Sequence, residues 1–417
     1  MSNAKKRKIL IVGLNFSPEL VGIGKYTGDL AAYFVQMGFD LRVVTTPPYY
    51  PDWKIDRKYR SCEYRKEATA EMVTYRCPLW VPSRPTNLNR IPHLMSFALS
   101  SLPVMLSQIV WKPDLVICVI PTLFSAPLAW LTAQLCGSKS WLHIQDFELD
   151  AANNLGMLPF TRYLIRFASD LERWIFSRFD RISTISSGMA NKLIQKGIVA
   201  ERVVLFPNWV DTGLIHPLSN PKDTMRSELG IPEDRIIILY SGSMGKKQGL
   251  EDLVNAAREL QGNANIIFIF CGNGSGREDL IKNTAHFPNI KHLSVQPLEK
   301  LNSLLNTADI HIMSQRASVA DLVMPSKLLG MLASGKSIIA IADPNTEVGR
   351  VINKVGCLVT PQNVSGLKDA ILSLAVSSDF RGRLGMNGRN YVCENWSASL
   401  VLPRFMEQIN ELLQGTT

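Results

Sequence analysis

Several stretches of the chain carry residues whose types and spacing suit chemistry on anionic, hydroxyl-bearing ligands. Asn15–Thr27 reads NFSPELVGIGKYT and sets Gly22 and Gly24 after an apolar run, where glycine lets backbone N–H groups approach an anion at a helix N-terminus. Thr27 stands where a G-x-G-x-x-G turn needs its third glycine, so a dinucleotide turn is not implied, and a plain tight loop is the alternative. His143 closes the strand-like SWLH and opens H-I-Q-D-F-E-L-D. A neutral imidazole there can donate to a substrate hydroxyl or carbonyl, and Asp146 can orient it; a satisfied structural histidine is the alternative. Ser183–Gly188 (STISSG) and Phe206–Asp211 (FPNWVD) follow two later strand-like runs.

In the second half, Ser241–Gly249 reads SGSMGKKQG between a strand and a helix. Ser241, Gly242, Gly245, Lys246, Lys247 and Gln248 form a glycine- and lysine-rich loop of the kind that holds phosphate oxygens, a solvated lysine pair being the bland reading. MPSKL at 324–328 puts Ser326 and Lys327 at the start of another helix. A cation there opposes the macrodipole, a misfit resolved if Lys327 and the helix end share a bound anion. Asp321, just upstream, is placed to accept from substrate hydroxyls.

These residues must be positioned by alternating strands and helices. Lys8–Gly13, Asp40–Thr45, Val116–Ile120, Ser140–His143, Arg181–Ile185 and Val203–Phe206 read as buried strands separated by helical patterns, the first helix spanning Lys25–Met37. A second series runs through Arg235–Ser241, Asn265–Cys271, Ile290–Leu293, Ile310–Met313, Ser337–Ile341 and Gly356–Val359, after which the pattern is helical to the end. The expected architecture is α/β, two doubly wound Rossmann-like domains facing a central cleft. The expected bounds are 1–207, with a returning helix at about 396–417, and 208–395. Ligands of such sheets bind at the carboxyl ends of the strands.

The chain has 417 residues, 46% hydrophobic and 19% charged, which excludes disorder and fibrous repeats. Seven dispersed cysteines without C-x-x-C spacing point to reduced thiols and a cytoplasmic setting, and six scattered histidines argue against a structural metal. The net charge of +9 lies wholly in residues 1–205, with 25 basic against 16 acidic side chains, while residues 206–417 balance at 20 each. That asymmetry suggests an anionic partner for the first domain. The uncharged stretch Leu94–Trp111 holds four serines and Pro103, and Leu88–Trp111 is expected to fold as a helix with an apolar face on lipid, not to span a bilayer.

The segments PELVGIGKYT, PPYYP, HIQD, FPNW, SGSMGKKQGL and PSKL, in this order over nearly the whole chain, resemble family-4 retaining glycosyltransferases of the GT-B fold, nearest to the colanic-acid type and its WbuB-like relatives. The resemblance implies transfer of a sugar, fucose favoured, from a nucleotide diphosphate-sugar to a lipid-linked oligosaccharide in exopolysaccharide or O-antigen synthesis. A GDP-sugar is favoured over a UDP-sugar, and no metal or nucleic acid is involved. The acceptor would be a polyprenyl-diphosphate-linked sugar at the inner face of the cytoplasmic membrane. By the same resemblance, His143, Asp146 and Asp321 serve catalysis, and Gly22, Gly24, Ser241, Gly242, Gly245, Lys246, Lys247, Gln248, Ser326 and Lys327 meet the donor. Lys25, Tyr26, Asn208 and Asp211 line the acceptor side or cleft. The family's arginine–lysine diphosphate clamp is replaced by Ser243 and Gln248, and its paired glutamates by Leu322 and Gly330, with Lys246, Lys247 and Lys327 as proposed substitutes. Those departures keep open a binding protein without catalysis; a GT-B UDP-sugar epimerase using Asp146, Glu148 or Asp321 is a third reading.

Overall fold

The computed structural model describes residues 6–415 except 84–85, 122, 148–161, 246–247 and 315–324, and of 87–88, 162–165 and 221 the backbone only. It divides into two units, Met1–Pro207 with Leu402–Thr417, and Asn208–Val401.

In the first unit the strands are β1 (Lys8–Gly13), β2 (Asp40–Thr45), β3 (Arg65–Ala68), β4 (Met72–Arg76), β5 (Leu115–Ile120), β6 (Lys139–Ile144), β7 (Arg181–Thr184) and β8 (Val203–Leu205). They form one sheet in the order β3-β4-β2-β1-β5-β6-β7-β8. All neighbours are parallel except β3 and β4, an antiparallel edge hairpin. The sequence reading missed this hairpin because both strands are short and the edge strand RKEA is polar and largely exposed. The central strands have the opposite character: all six residues of LVICVI in β5 are buried, as a strand covered on both faces requires. Helices α1 (Gly22–Gln36), α2 (Asn87–Trp111), α3 (Ala126–Cys136), α4 (Arg162–Phe176) and α5 (Ser187–Gln195) connect the strands. Helix α1 starts at Gly22, not at the expected Lys25, so Gly22 and Gly24 lie in its first turn and not in the loop before it.

The second unit holds β9 (Ile236–Ser241), β10 (Ile266–Cys271), β11 (Ile290–Leu293), β12 (Ile310–Ser314), β13 (Ser337–Ile341) and β14 (Cys357–Val359) in the parallel order β11-β10-β9-β12-β13-β14. The helices are α6 (Glu251–Glu259), α7 (Arg277–Thr284), α8 (Leu301–Thr307), α9 (Ser326–Ala333), α10 (Glu347–Val355), α11 (Val364–Val376), α12 (Ser378–Asn395) and α13 (Ala398–Gln414). Ile238, Phe268, Ile310 and Ile339 pack with Leu367 and Ile371 of α11 in one core cluster. Ile338 and Ala340 of β13, alternating with them, pack with Leu328 and Met331 of α9 and Ile352 of α10 in another. The division between units falls inside α13. Its Phe405 stacks on Phe206, ring centroids 3.7 Å apart, and meets Trp141 of β6 edge-on, so this end of the helix belongs to the first unit's core.

Candidate active site

Loops at the carboxyl ends of β1 and β2 in the first unit are organised by a carboxylate the sequence reading quoted but gave no role. Glu19 is 5% exposed. Its Oε1 accepts from the backbone N–H of Tyr49 and of Tyr50, both at 3.0 Å, and its Oε2 from Asn15 Nδ2 at 2.9 Å. Burial raises its pKa, and these hydrogen bonds, with the nearby Arg76 charge, oppose the shift. A Cβ on Gly24 would stand 2.6 Å from Glu19 Oε2, which is why this position in the first turn of α1 is glycine. Tyr49, itself buried, points its hydroxyl at His93 Nε2 of α2, 3.2 Å away, so PPYYP and PELVGIG are two halves of one construction. The N-terminus of α1 has no side-chain cap and no acid in its first turn, leaving its amides free to meet an anion. Lys25 pairs with Asp29 at 2.7 Å and lies over the ring of buried Tyr26.

His143, in β6, is 3% exposed. Its Nδ1 pairs with Ser183 Oγ of β7 at 2.9 Å and its Nε2 with the side-chain amide of Gln145 at 3.1 Å. With the amide nitrogen of Gln145 facing it, Nε2 accepts and carries no proton, so the imidazole is neutral. Burial holds its pKa down to about 3. The expected orienting role of Asp146 is therefore filled by Ser183 and Gln145, because the side chain that points along β6 with His143 at the same sheet level is on the neighbouring strand, where His143 pairs in register with Ser183. Trp141 Nε1 donates to the same Ser183 oxygen at 2.8 Å. Asp146 itself is half-buried, three residues beyond His143.

In the second unit Lys327 lies in the first turn of α9, whose N-cap, Pro325, offers no side-chain acceptor and whose first turn has no acid. The ammonium sits 4.6 Å from the centre of the Tyr240 ring and 3.4 Å from its hydroxyl, and it has no carboxylate partner among the described residues. Burial lowers its pKa to about 8. Tyr240 ends its own reach by donating to Ser243 O at 2.5 Å. The aliphatic stem of Lys327 crosses Gly242, where a Cβ would meet Cδ at 3.3 Å.

The Ser241–Gly249 loop is braced by a second glycine-rich turn, Gly272–Gly276, that the sequence reading passed over although C-G-N-G-S-G directly follows a strand. Gly242 N donates to Cys271 O and Met244 N to Asn273 O. A Cβ on Gly272, whose φ is +148°, would overlap Gly242 O at 1.9 Å, and only glycine permits that approach. Gln248 turns inward: its Oε1 accepts from Gly245 N at 3.2 Å, and Ser314 Oγ donates to its backbone oxygen at 2.6 Å. Ser243 is exposed, and its amide has no acceptor among the described residues. Helix α6, following this loop, carries Glu251 and Asp252 in its first turn, so its N-terminus is already neutralised. Helix α9, with Ser326 as its first residue, has no acid in its first turn. Gly330 packs against Leu305 of α8, a Cβ there standing 3.3 Å from Cδ1.

Asn208 is buried and its Oδ1 has no hydrogen-bond partner among the described residues, while Asp211 Oδ1 accepts from Gly213 N and Leu214 N and so closes a turn. Val210 between them bridges to Ser397, fixing residues 208–211 within the second unit. Lys246, Lys247 and Asp321 lie outside the described residues, as do Glu148 and Leu322.

Two doubly wound, largely parallel sheets, each with polar loops at the strands' carboxyl ends, are the architecture of GT-B glycosyltransferases. The comparisons agree. Residues 21–209 match the glycosyl transferase 4-like domain and residues 221–391 the glycosyl transferases group 1 domain. The chain is 40% identical over 377 residues to the putative colanic acid biosynthesis glycosyl transferase WcaI of Escherichia coli, covering 88% of this chain and 92% of that protein. It is 25% identical over 286 residues to the probable glycosyltransferase WbjE of Pseudomonas aeruginosa, covering 66% and 69%. Among solved structures it resembles the sucrose-phosphate synthase of Thermosynechococcus elongatus (TM-score 0.77, 15% identity, 99% and 100% coverage). It also resembles HepE of Anabaena in complex with UDP-glucose (TM-score 0.69, 14% identity, 97% and 99% coverage). The chain belongs to the family of glycosyltransferases that join a glycosyl transferase 4-like domain to a group 1 domain.

Proposed function

We propose that this glycosyltransferase moves a sugar, with retention and without a metal, from a nucleotide diphosphate-sugar to a polyprenyl-diphosphate-linked oligosaccharide in synthesis of a colanic-acid-type exopolysaccharide or an O-antigen. The observation that carries the reading is Lys327: a half-buried ammonium without a carboxylate partner among the described residues, in the first turn of an uncapped helix, against a glycine-braced loop. A diphosphate satisfies all three at once. The bond between the anomeric carbon and the diphosphate breaks, and the charge left on that oxygen is met by Lys327, the amides of Ser326 and Ser243 and, in the sequence, Lys246 and Lys247. The acceptor hydroxyl attacks on the leaving-group face and gives its proton to the departing diphosphate. His143, neutral at any working pH and with both ring nitrogens engaged by Ser183 and Gln145, serves as part of the wall behind the transferred sugar and not as a general base. Gly22 and Gly24 at the α1 N-terminus, with Lys25 and Tyr26, face the acceptor side, and Asn208 offers its unpartnered oxygen to a ligand.

The donor put forward first is GDP-fucose, as the colanic-acid-type motifs of the sequence imply, and a UDP-linked N-acetylamino sugar is the second choice. Attachment to the inner face of the cytoplasmic membrane is supported by α2. It is long and apolar enough to cross a bilayer, yet Phe97, Ser101, Met105 and Gln108 are buried against the first unit, while Met95, Leu99, Leu102, Leu106 and Val110 are exposed along its other side. A helix so divided lies on a surface. The inward-turned Gln248 and the packed Gly330 favour one second reading, a nucleotide-sugar binding protein without transfer. Incubation with GDP-fucose or UDP-N-acetylglucosamine and an undecaprenyl-diphosphate-linked glycan in EDTA, followed by mass and anomeric analysis, tests the proposal. It requires a product one sugar heavier with the donor's anomeric configuration. Donor binding with no product supports the second reading.

A further inference from the structure

A cavity of about 190 Å³ opens at the carboxyl ends of β2 and β4, lined chiefly by Lys58, Tyr59, Arg60, Glu63, Arg65 and Arg76. We propose that it binds the diphosphate of the lipid-linked acceptor, an inference that rests on the acceptor class put forward above. Its volume lies below the ~300–1,000 Å³ of pockets that enclose whole drug-sized ligands, so it suits a compact ionic group and not a nucleotide-sugar.

The lining is arranged for an anion before any arrives. Arg76 is 4% exposed and held on three sides: Nε donates to Glu67 at 2.8 Å, Nη1 to Thr46 O at 2.9 Å and Nη2 to Ser17 O at 2.8 Å. Those bonds use three of a guanidinium's five N–H donors and leave two for a ligand. Arg65 shares Glu67, its Nε 3.3 Å from Oε1, and both guanidinium groups lie over the Tyr59 ring, 4.9 and 5.0 Å from its centre. Glu67 and Tyr59 thus fix both arginines, and a fixed fork loses little entropy on binding. Lys58 and Arg60, exposed at the rim, have no carboxylate partner among the described residues. Four cations against Glu63 and Glu67 leave two positive charges, complementary to the negative charge that a lipid diphosphate carries. The place is also right: Arg76 holds Ser17 of the Glu19 loop, so an acceptor anchored here presents its sugar at the turn that begins α1.

The test uses titration calorimetry of geranylgeranyl diphosphate and of inorganic phosphate in EDTA buffer. The proteins are the wild type, the rim variant Lys58→Ala/Arg60→Ala and Lys327→Ala, with nucleotide-sugar thermal shifts run on each. Neither rim side chain is buried, so the rim variant keeps the fold. The expected result is at least a tenfold loss of affinity for geranylgeranyl diphosphate in the rim variant and less than a twofold change in Lys327→Ala. Inorganic phosphate should bind the wild type at least tenfold more weakly than the lipid diphosphate. Unchanged affinity in the rim variant, a loss confined to Lys327→Ala, or equal binding of inorganic phosphate overturns the proposal. Nucleotide-sugar shifts that persist beside such a result leave the transferase reading standing. Their absence in all three proteins counts against that reading, while a rim-dependent lipid diphosphate affinity still supports the cavity.

Discussion

Two buried titratable side chains carry opposite consequences at the scale of single residues. Lys327 has a pKa near 8 in the empty protein because burial penalises its charge, so near pH 8 it is about half protonated. A diphosphate restores the charged form, and donor binding at pH 8 is expected to take up about half a proton, falling towards zero at pH 6. Calorimetry in buffers of different ionisation enthalpy reads this directly. Lys327→Ala should abolish the uptake and weaken the donor nucleotide roughly tenfold to a hundredfold, the worth of one charge-assisted hydrogen bond. His143 shows the reverse sign of use. Its folded pKa of about 3 lies below the ordinary 6.5, so the unfolded chain takes the proton first. The stability its neutral form contributes is present above pH 6.5 and is lost as pH falls from about 6.5 towards 3, at up to ~1.4 kcal/mol per pH unit. Urea midpoints measured across that range should fall less steeply in His143→Gln, leaving the buried His311, also held near 3, to supply the remaining slope. Both side chains were legible in sequence as polar residues at the ends of elements. Their partners were not: Ser183 and Gln145 around His143, and Tyr240 under Lys327, come from neighbouring strands or from side-chain direction, which spacing along one strand does not encode.

Elements show where local sequence signals decided structure and where contacts from elsewhere overrode them. Apolar runs such as KILIVG and SIIAI mark buried strands unaided, whereas the first turn of α1 contains two glycines and was read as loop. Glu19 explains that turn: it needs Gly24 bare of a Cβ, a tertiary demand invisible to propensity. The same reasoning separates two glycines of the second unit. Gly272→Ala drives a Cβ into the backbone oxygen of Gly242 at a positive φ and is expected to cost about 3 kcal/mol and to remove donor binding. Gly330→Ala meets only the end of the Leu305 side chain and should cost under about 1.5 kcal/mol. Thermal unfolding of the two variants side by side checks the contrast. For α2, Leu99→Asp with Leu106→Asp places charge on the exposed stripe without touching the buried face. Co-sedimentation with phosphatidylglycerol vesicles should drop at least fivefold, with the folded far-UV spectrum kept. Retention on vesicles at the wild-type level would remove α2 as the contact.

At the scale of the whole molecule, charge and chemistry are divided between the units. The first unit carries nearly all the excess of positive charge, +8 against +1, and the loops organised by Glu19; the second carries the uncapped helix with Lys327. The alternation of strands and helices made both doubly wound sheets legible in the chain, since each parallel strand needs its crossover helix. The edge hairpin β3–β4 escaped, and with it the cavity that its arginines line. Vesicle binding by this charge distribution should weaken between 50 and 300 mM salt, over which screening shortens to below ~10 Å. The most direct test of the central claim, that the second unit binds a nucleotide diphosphate-sugar through Lys327 without a metal, is thermal stabilisation by GDP, UDP, dTDP, ADP and their sugar conjugates, with and without EDTA, in the wild type and Lys327→Ala. A rise in Tm is expected with one nucleotide and its sugars, unchanged by EDTA and clearly smaller in Lys327→Ala at the same ligand concentration. No rise with any of them, a rise erased by EDTA, or an equal rise in Lys327→Ala would contradict that claim.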